Sequence, residues 1–240
     1  MGRYRCSQIP PRGRLVSRGI SLLAFLYQSG LPPRALNRFL FDFALVPSRV
    51  FGQLRLIAPS DWTPFLTNIF LHAGWLHLIL NMWTLWILGP AVEDRLGPVR
   101  FALFYLFCGL AAGLAHALAN PDSVVPALGA SGAIAGVIGC YARMFPAARL
   151  VVIVPILVIP LFFEISALAF AMIWFVMQLI LGLMSLGDTA TGGVAWWAHI
   201  GGFVSGWLAS CLVATHHWDM VSSAIADHAW RFAAFADEVS

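Results

Sequence analysis

Three stretches of this chain carry groups fit for acyl-transfer chemistry, and all three lie in apolar sequence. The first, Gly129-Ala130-Ser131-Gly132, sets a hydroxyl at the start of a helix of small residues. Backbone N–H groups in a first helical turn have no intrahelical acceptor, so a negative charge developing beside Ser131 would find donors waiting. The second is His199, in Ala198-His199-Ile200-Gly201-Gly202, an imidazole able to act as base. The third holds His72, His77 and Asn81. At 100° per residue His77 and Asn81 lie about 40° apart on one helix face, whereas His72, read on the same helix, is about 140° from His77 and points elsewhere. That spacing makes a pair of donors and not a two-histidine metal face. Cys6, Cys108, Cys140 and Cys211 are scattered without CxxC spacing, so neither a metal, a cofactor nor a disulfide framework is expected. Nor is Ser131 on the GxSxG elbow of the α/β-hydrolases, because Ala133 holds the last glycine position and no strand precedes it.

The elements that must position these groups are membrane helices. Of 240 residues 60% are hydrophobic and 10% charged, against about 45–50% and about 25% in soluble domains. This excludes disorder, a collagen-like chain and a basic nucleic-acid binder. A crossing needs about 20 predominantly apolar residues. Five segments supply it, at Pro64–Leu88, Val99–Ala119, Gly129–Phe145, Ser166–Leu186 and Val194–Ala214. A sixth, Gly19–Leu31, spans if Leu15 to Ser17 join it and Arg18 snorkels. Leu150–Phe163, interrupted by Pro155 and Pro160, is too short to cross and reads as an interfacial or re-entrant piece. The fold class expected is all-α, a polytopic bundle of six transmembrane helices. Residues 1–18 then form a cytoplasmic tail, 19–214 the membrane domain and 215–240 a second cytoplasmic tail.

The basic residues orient the bundle. All 14 are arginine. With the amino terminus inside, ten face the cytoplasm, and the four others, Arg34, Arg38, Arg49 and Arg55, share the loop Pro32–Trp62. Part of that loop, Phe39–Val46, is expected on the outer leaflet as a short helix. Ser131 and His199 then share a depth near the outer face, with His77 and Asn81 close by. His199, Gly202 and Gly206 lie within about 60° of one another on a helix, and Gly202-Phe203-Val204-Ser205-Gly206 is a GxxxG sequence that lets backbones approach closely. Gly132, Ala135, Gly136 and Gly139 give the helix opening at Ser131 a matching small face. Plain packing accounts for GxxxG in most membrane proteins, and it is the combination with Ser131 and His199 that points to chemistry.

In order, His72-Ala73-Gly74-Trp75-Leu76-His77-Leu78-Ile79-Leu80-Asn81, Val92-Glu93-Asp94-Arg95-Leu96-Gly97, Gly129-Ala130-Ser131-Gly132 and Ala198-His199-Ile200-Gly201-Gly202 resemble the rhomboid intramembrane serine proteases. The likeness covers about residues 31–212. It implies that Ser131 is the nucleophile and His199 its general base, and that His77 and Asn81, with the Ser131 amide, form the oxyanion hole. It also implies structural roles for His72, Gly129, Gly132, Gly202 and Gly206. The chain departs from the pattern at Ala135, where members often carry an aromatic against the base, and it lacks the Trp-Arg pair of the first loop.

The residues support a dyad on their own terms. Asp122 and Asp188 lie in loops and Glu164 on the inner side, so a Ser-His-Asp triad lacks its third member. The imidazole is then expected to be held by packing, with Trp196 the candidate to orient it. His116, His216, His217 and His228 read as bystanders. Glu93-Asp94-Arg95 reads as a solvated connector worth about 0–1 kcal/mol, and the Gly-rich connector Ser185–Gly193 as a mobile cap over the site. The function expected is intramembrane serine proteolysis near the outer face. Its partners would be single-span transmembrane substrates and the lipid bilayer, with no nucleic acid and no metal, in a bacterial inner membrane. The alternative is an inactive rhomboid-like module that binds transmembrane clients.

Overall fold

The computed structural model describes residues 12–51, 62–156, 159–185 and 194–212. The first residues of the amino-terminal tail, the connector from 186 to 193 and the tail expected over 215–240, with His216, His217 and His228, lie outside the described residues.

Helix α1 (Arg12–Ser29) starts well before Gly19 and is amphipathic in an inverted sense. Ser17, Ser21, Phe25 and Gln28, spaced three or four apart, are buried, while Leu15, Val16, Leu23, Leu26 and Tyr27 are exposed. A helix in water does the opposite. α5 (Trp75–Leu96), α6 (Pro98–Ala119) and α8 (Ala167–Met184) bury mostly apolar residues, yet their outer faces are apolar too and show Leu76, Ile79, Leu80, Val99, Leu103, Ile173, Ile180 and Met184. Exposed apolar surface on this scale belongs in lipid. Among the described residues these three, α5, α6 and α8, are the helices long and apolar enough to cross a membrane by length and composition.

The remaining helices are shorter. α2 (Pro33–Phe43) and α3 (Pro47–Val50) occupy the first long loop, each opened by a proline at the position where a missing N–H is harmless. The run expected as one helix from Pro64 is broken. It forms α4 (Thr63–Thr67), a 3-10 turn (Asn68–Phe70) and an irregular stretch before α5 begins at Trp75. Asn68 breaks it: its Nδ2 donates to the carbonyls of Pro64 (2.5 Å) and Phe65 (2.8 Å), and such local bonds compete with a continuing helix. α5 runs on to Leu96 and stops at Gly97, whose φ of +78° turns the chain directly into Pro98 of α6. Glu93 is therefore not a solvated connector. It is 3% exposed, its Oε1 accepts the Gly13 N–H at 2.7 Å, and Oε2 lies 3.6 Å from Arg14 Nε. The end of α5 pins the start of α1.

α7 (Ser131–Met144) is the axis of the bundle. Ten of its 14 residues are buried, packed against α5, α6 and α8. A helix covered all round is apolar all round, and the contact sides here are glycine and alanine. Leu150–Phe163 forms a hairpin, which adds two strands to the expected all-α bundle. β1 (Arg149–Ile156) pairs antiparallel with β2 (Ile159–Ser166), with Arg149 opposite Ser166 and Val151 opposite Glu164. The β-branched run Val151-Val152-Ile153-Val154 favours a strand, and Pro155 faces Pro160 near the turn, where a two-strand edge tolerates them. A last helix, α9, covers 196–212.

Candidate active site

α7 and α9 meet along their small faces. A Cβ built on Gly202 would fall on the Gly132 carbonyl oxygen, and one on Gly206 would fall on the Gly136 backbone. On the other side of α7, a Cβ at Gly132 or Gly136 would press on Ala112 or Cys108 of α6. Only hydrogen at these positions lets the axes come so close, which in lipid is where packing energy is gained. The register that results brings the first residue of α7 beside the first turn of α9: Ser131 Oγ lies 2.9 Å from His199 Nε2.

His199 is 9% exposed and is gripped on its other side by α8. Its Nδ1 lies 2.7 Å from Oε1 of Gln178, which is 2% exposed. A carbonyl oxygen can only accept, so Nδ1 carries the proton and Nε2 keeps the lone pair that accepts the Ser131 O–H. Trp174, one turn before Gln178, lies 5.7 Å from the imidazole centroid, and Trp196 meets it edge-on at 6.2 Å. The imidazole is thus held by an amide as well as by packing. Gln178 is not among the residues expected from the sequence, where packing by Trp196 stands as the means of holding the ring. The signal was present: it is the one amide or charged residue in the apolar run Ala167–Met184, and polar groups at such positions are costly and usually functional.

The loop before α7 is fixed by backbone. Gly129 N–H donates to the Asn68 carbonyl at 2.9 Å, and Leu45 and Ala127 exchange two hydrogen bonds of 2.9 and 2.7 Å. Gly129 itself sits at φ +132°, and a Cβ there would lie 2.7 Å from His77 Cε1 and 2.8 Å from its Nε2. His77, in the first turn of α5, therefore reaches the segment carrying Ser131. The Ala73 N–H donates to His77 Nδ1 at 3.4 Å, a capping contact. An N–H can only donate, so neutral His77 holds its proton on Nε2, the atom that faces Gly129. The two imidazoles are thus in opposite tautomers. Asn81, one turn on, is buried, and its Nδ2 has no hydrogen-bond partner among the described residues.

His72 is not on α5 and does not point away from His77: it precedes the helix, is fully buried, and its ring meets that of His77 edge-on at 5.2 Å. Gln28 of α1 holds its backbone at both ends, donating to the His72 carbonyl and accepting its N–H. His116, read as a bystander, lines a cavity of about 20 Å³ together with Asn68, Gly129 and Ser131, room for about one water. No group of three or more His, Cys, Asp or Glu able to hold a metal occurs among the described residues. The chemistry this geometry permits is proton removal from Ser131 by His199 during attack on an electrophile, with N–H donors nearby for the resulting negative charge.

A profile of the Rhomboid domain matches residues 59–216. The chain is 44% identical over 84 residues to Rhomboid protease GluP of Bacillus subtilis, covering 35% of this chain and 16% of that protein. It is 38% identical over 88 residues to Putative rhomboid protease YdcA of the same organism, covering 37% and 44%. RHOMBOID-like protein 1 of Arabidopsis thaliana is 31% identical over 158 residues, covering 61% and 33%. The chain thus spans less than half the length of each of these relatives. With the profile covering well over half of the 240 residues, the chain is an integral membrane protein that belongs to the rhomboid family.

Proposed function

We propose that this protein is an intramembrane serine endopeptidase that cleaves transmembrane helices of membrane proteins near the outer face, with Ser131 as nucleophile and His199 as general base. The observation that carries the proposal is the 2.9 Å contact between Ser131 Oγ and His199 Nε2. Ser131 attacks the scissile carbonyl, and its proton passes to Nε2. The same proton is then delivered to the leaving amine as the acyl-enzyme forms, and water activated by His199 releases the second product. The substrate helix must unwind locally, because a hydrogen-bonded carbonyl is hidden from the nucleophile. Oxyanion stabilisation falls to the Ser131 amide at the helix start, His77 Nε2–H and Asn81 Nδ2–H. Asn81 brings a buried donor without a partner among the described residues, the state expected of a group whose acceptor arrives with the reaction.

The chain would cross a bacterial inner membrane six times, with α1, α5, α6, α7, α8 and α9 as the spans and both termini in the cytoplasm. The arginine count favours this orientation. A client-binding module without catalysis is the other reading of the family, and a site with serine and histidine already hydrogen-bonded does not favour it.

The test is labelling of the purified protein by a fluorophosphonate probe, beside cleavage of a single-span substrate. The unaltered protein should do both, and Ser131→Ala and His199→Ala should do neither. Labelling that survives in Ser131→Ala removes the nucleophile assignment. No labelling and no cleavage by the unaltered protein removes the protease reading.

A further inference from the structure

We infer that Gln178 is the positioning residue of the dyad, the group on α8 that fixes His199 in the Nδ1–H tautomer and so leaves Nε2 free to take the proton of Ser131. The inference rests on the protease reading and names what that reading lacks. A histidine base needs a third group to hold its ring, and among the described residues no carboxylate bonds the imidazole, while an alanine, Ala135, stands where an aromatic could have stacked.

The geometry supplies the group. Gln178 Oε1 is 2.7 Å from His199 Nδ1, both residues are buried, and the opposite ring nitrogen meets Ser131 at 2.9 Å. Trp174 and Gln178 are four residues apart on α8, so the helix presents a ring and an acceptor to the imidazole from one face. An imidazole with its proton on Nε2 would turn a donor toward the Ser131 hydroxyl and could not deprotonate it. A neutral amide also differs from a carboxylate. It selects the tautomer without placing a charge in the membrane, where an ion without a full partner is costly. The imidazolium formed during attack keeps its Nδ1–H bond to the amide oxygen, so Gln178 serves both states of the ring.

Two measurements test this on the full-length protein in detergent. The first needs no variant: nitrogen-15 NMR of histidine-labelled protein, with His199 assigned by its loss in His199→Ala, should show Nδ1 protonated and Nε2 not. A wild-type ring protonated on Nε2 overturns the inference even where the protein labels and cleaves normally. The second compares fluorophosphonate labelling rates. Gln178→Met keeps the length of the side chain without an oxygen acceptor, and the rate should fall about 10- to 100-fold, the size expected when a buried hydrogen-bonding group loses its partner. Gln178→Glu retains an oxygen acceptor, and because its charge is met by the imidazolium only during attack it should recover part of the rate, at least about threefold above Gln178→Met. An unchanged rate in Gln178→Met, or equal losses in both variants, overturns the positioning role while the protease reading stands. Absence of labelling in the unaltered protein overturns both together.

Discussion

Gly202 of α9 lies directly on the carbonyl oxygen of Gly132 of α7, and no side chain can be inserted between them. The obstacle is backbone on both sides, so an added methyl group cannot be absorbed by a rotamer change. Gly202→Ala should force the helices apart at the level of the dyad, costing about 1–3 kcal/mol in stability as overpacking does. The functional loss should be larger than that figure suggests, because a shift of about 1 Å at reacting groups can cost about 100-fold in rate. Labelling of Ser131 beside thermal unfolding checks it: a variant that unfolds earlier but labels at full speed would show that the crossing does not set the dyad.

Gly129 tests the donor side of the site independently. Its φ of +132° is closed to other residues at little cost, and a Cβ would displace His77. Gly129→Ala should therefore move a group proposed to act only on the developing oxyanion. Such a loss lowers kcat with little change in KM, by about 100-fold where one oxyanion donor is removed. Steady-state cleavage of a single-span substrate decides it. A rise in KM at constant kcat would assign the Gly129–His77 contact to substrate binding instead.

Much of this arrangement could be read from the chain because helix periodicity does not depend on tertiary structure. The small faces around Gly132, Gly136, Gly202 and Gly206 follow from 3.6 residues per turn, and an opening of Gly-Ala-Ser-Gly fixes where Ser131 stands. What escaped had tertiary causes. Gln178 lies 21 residues from His199, and nothing in their spacing joins them. Periodicity alone carries the helix through His72, but Asn68 ends it early by bonding its own turn. Glu93 looked like a loop charge because its partners, Gly13 and Arg14, come from a helix about 80 residues earlier. In Leu150–Phe163 length and prolines argue against a crossing, but the β-branched run is what marks a strand.

Gln28 gives a stability prediction separable from catalysis. Its amide makes both hydrogen bonds to the backbone of His72 from the buried face of α1. Gln28→Leu keeps the volume and leaves a buried N–H and C=O without partners, at about 1–3 kcal/mol for an unsatisfied group. The midpoint of thermal or denaturant unfolding should fall, with Ser131 labelling reduced less than in Gly129→Ala. An unmoved midpoint would mean that α1 does not hold this segment.

At the opposite end of α1, Glu93 is asked to hold a neighbour, not a reactant. Its carboxylate accepts the Gly13 N–H and stands beside Arg14, and it is buried while doing so. Removing one member of a buried pair leaves the other uncompensated, at about 3–5 kcal/mol where burial is complete. Arg14 is partly exposed, at 17%, so water relieves some of that strain and Glu93→Ala should fall at or below the lower figure. Glu93→Gln, which still offers an oxygen to Gly13, should lose less. The order Ala worse than Gln, read from unfolding midpoints, follows if the bond to Gly13 and the charge beside Arg14 both contribute. Equal midpoints for Glu93→Gln and the unaltered protein would leave the hydrogen bond as the sole anchor.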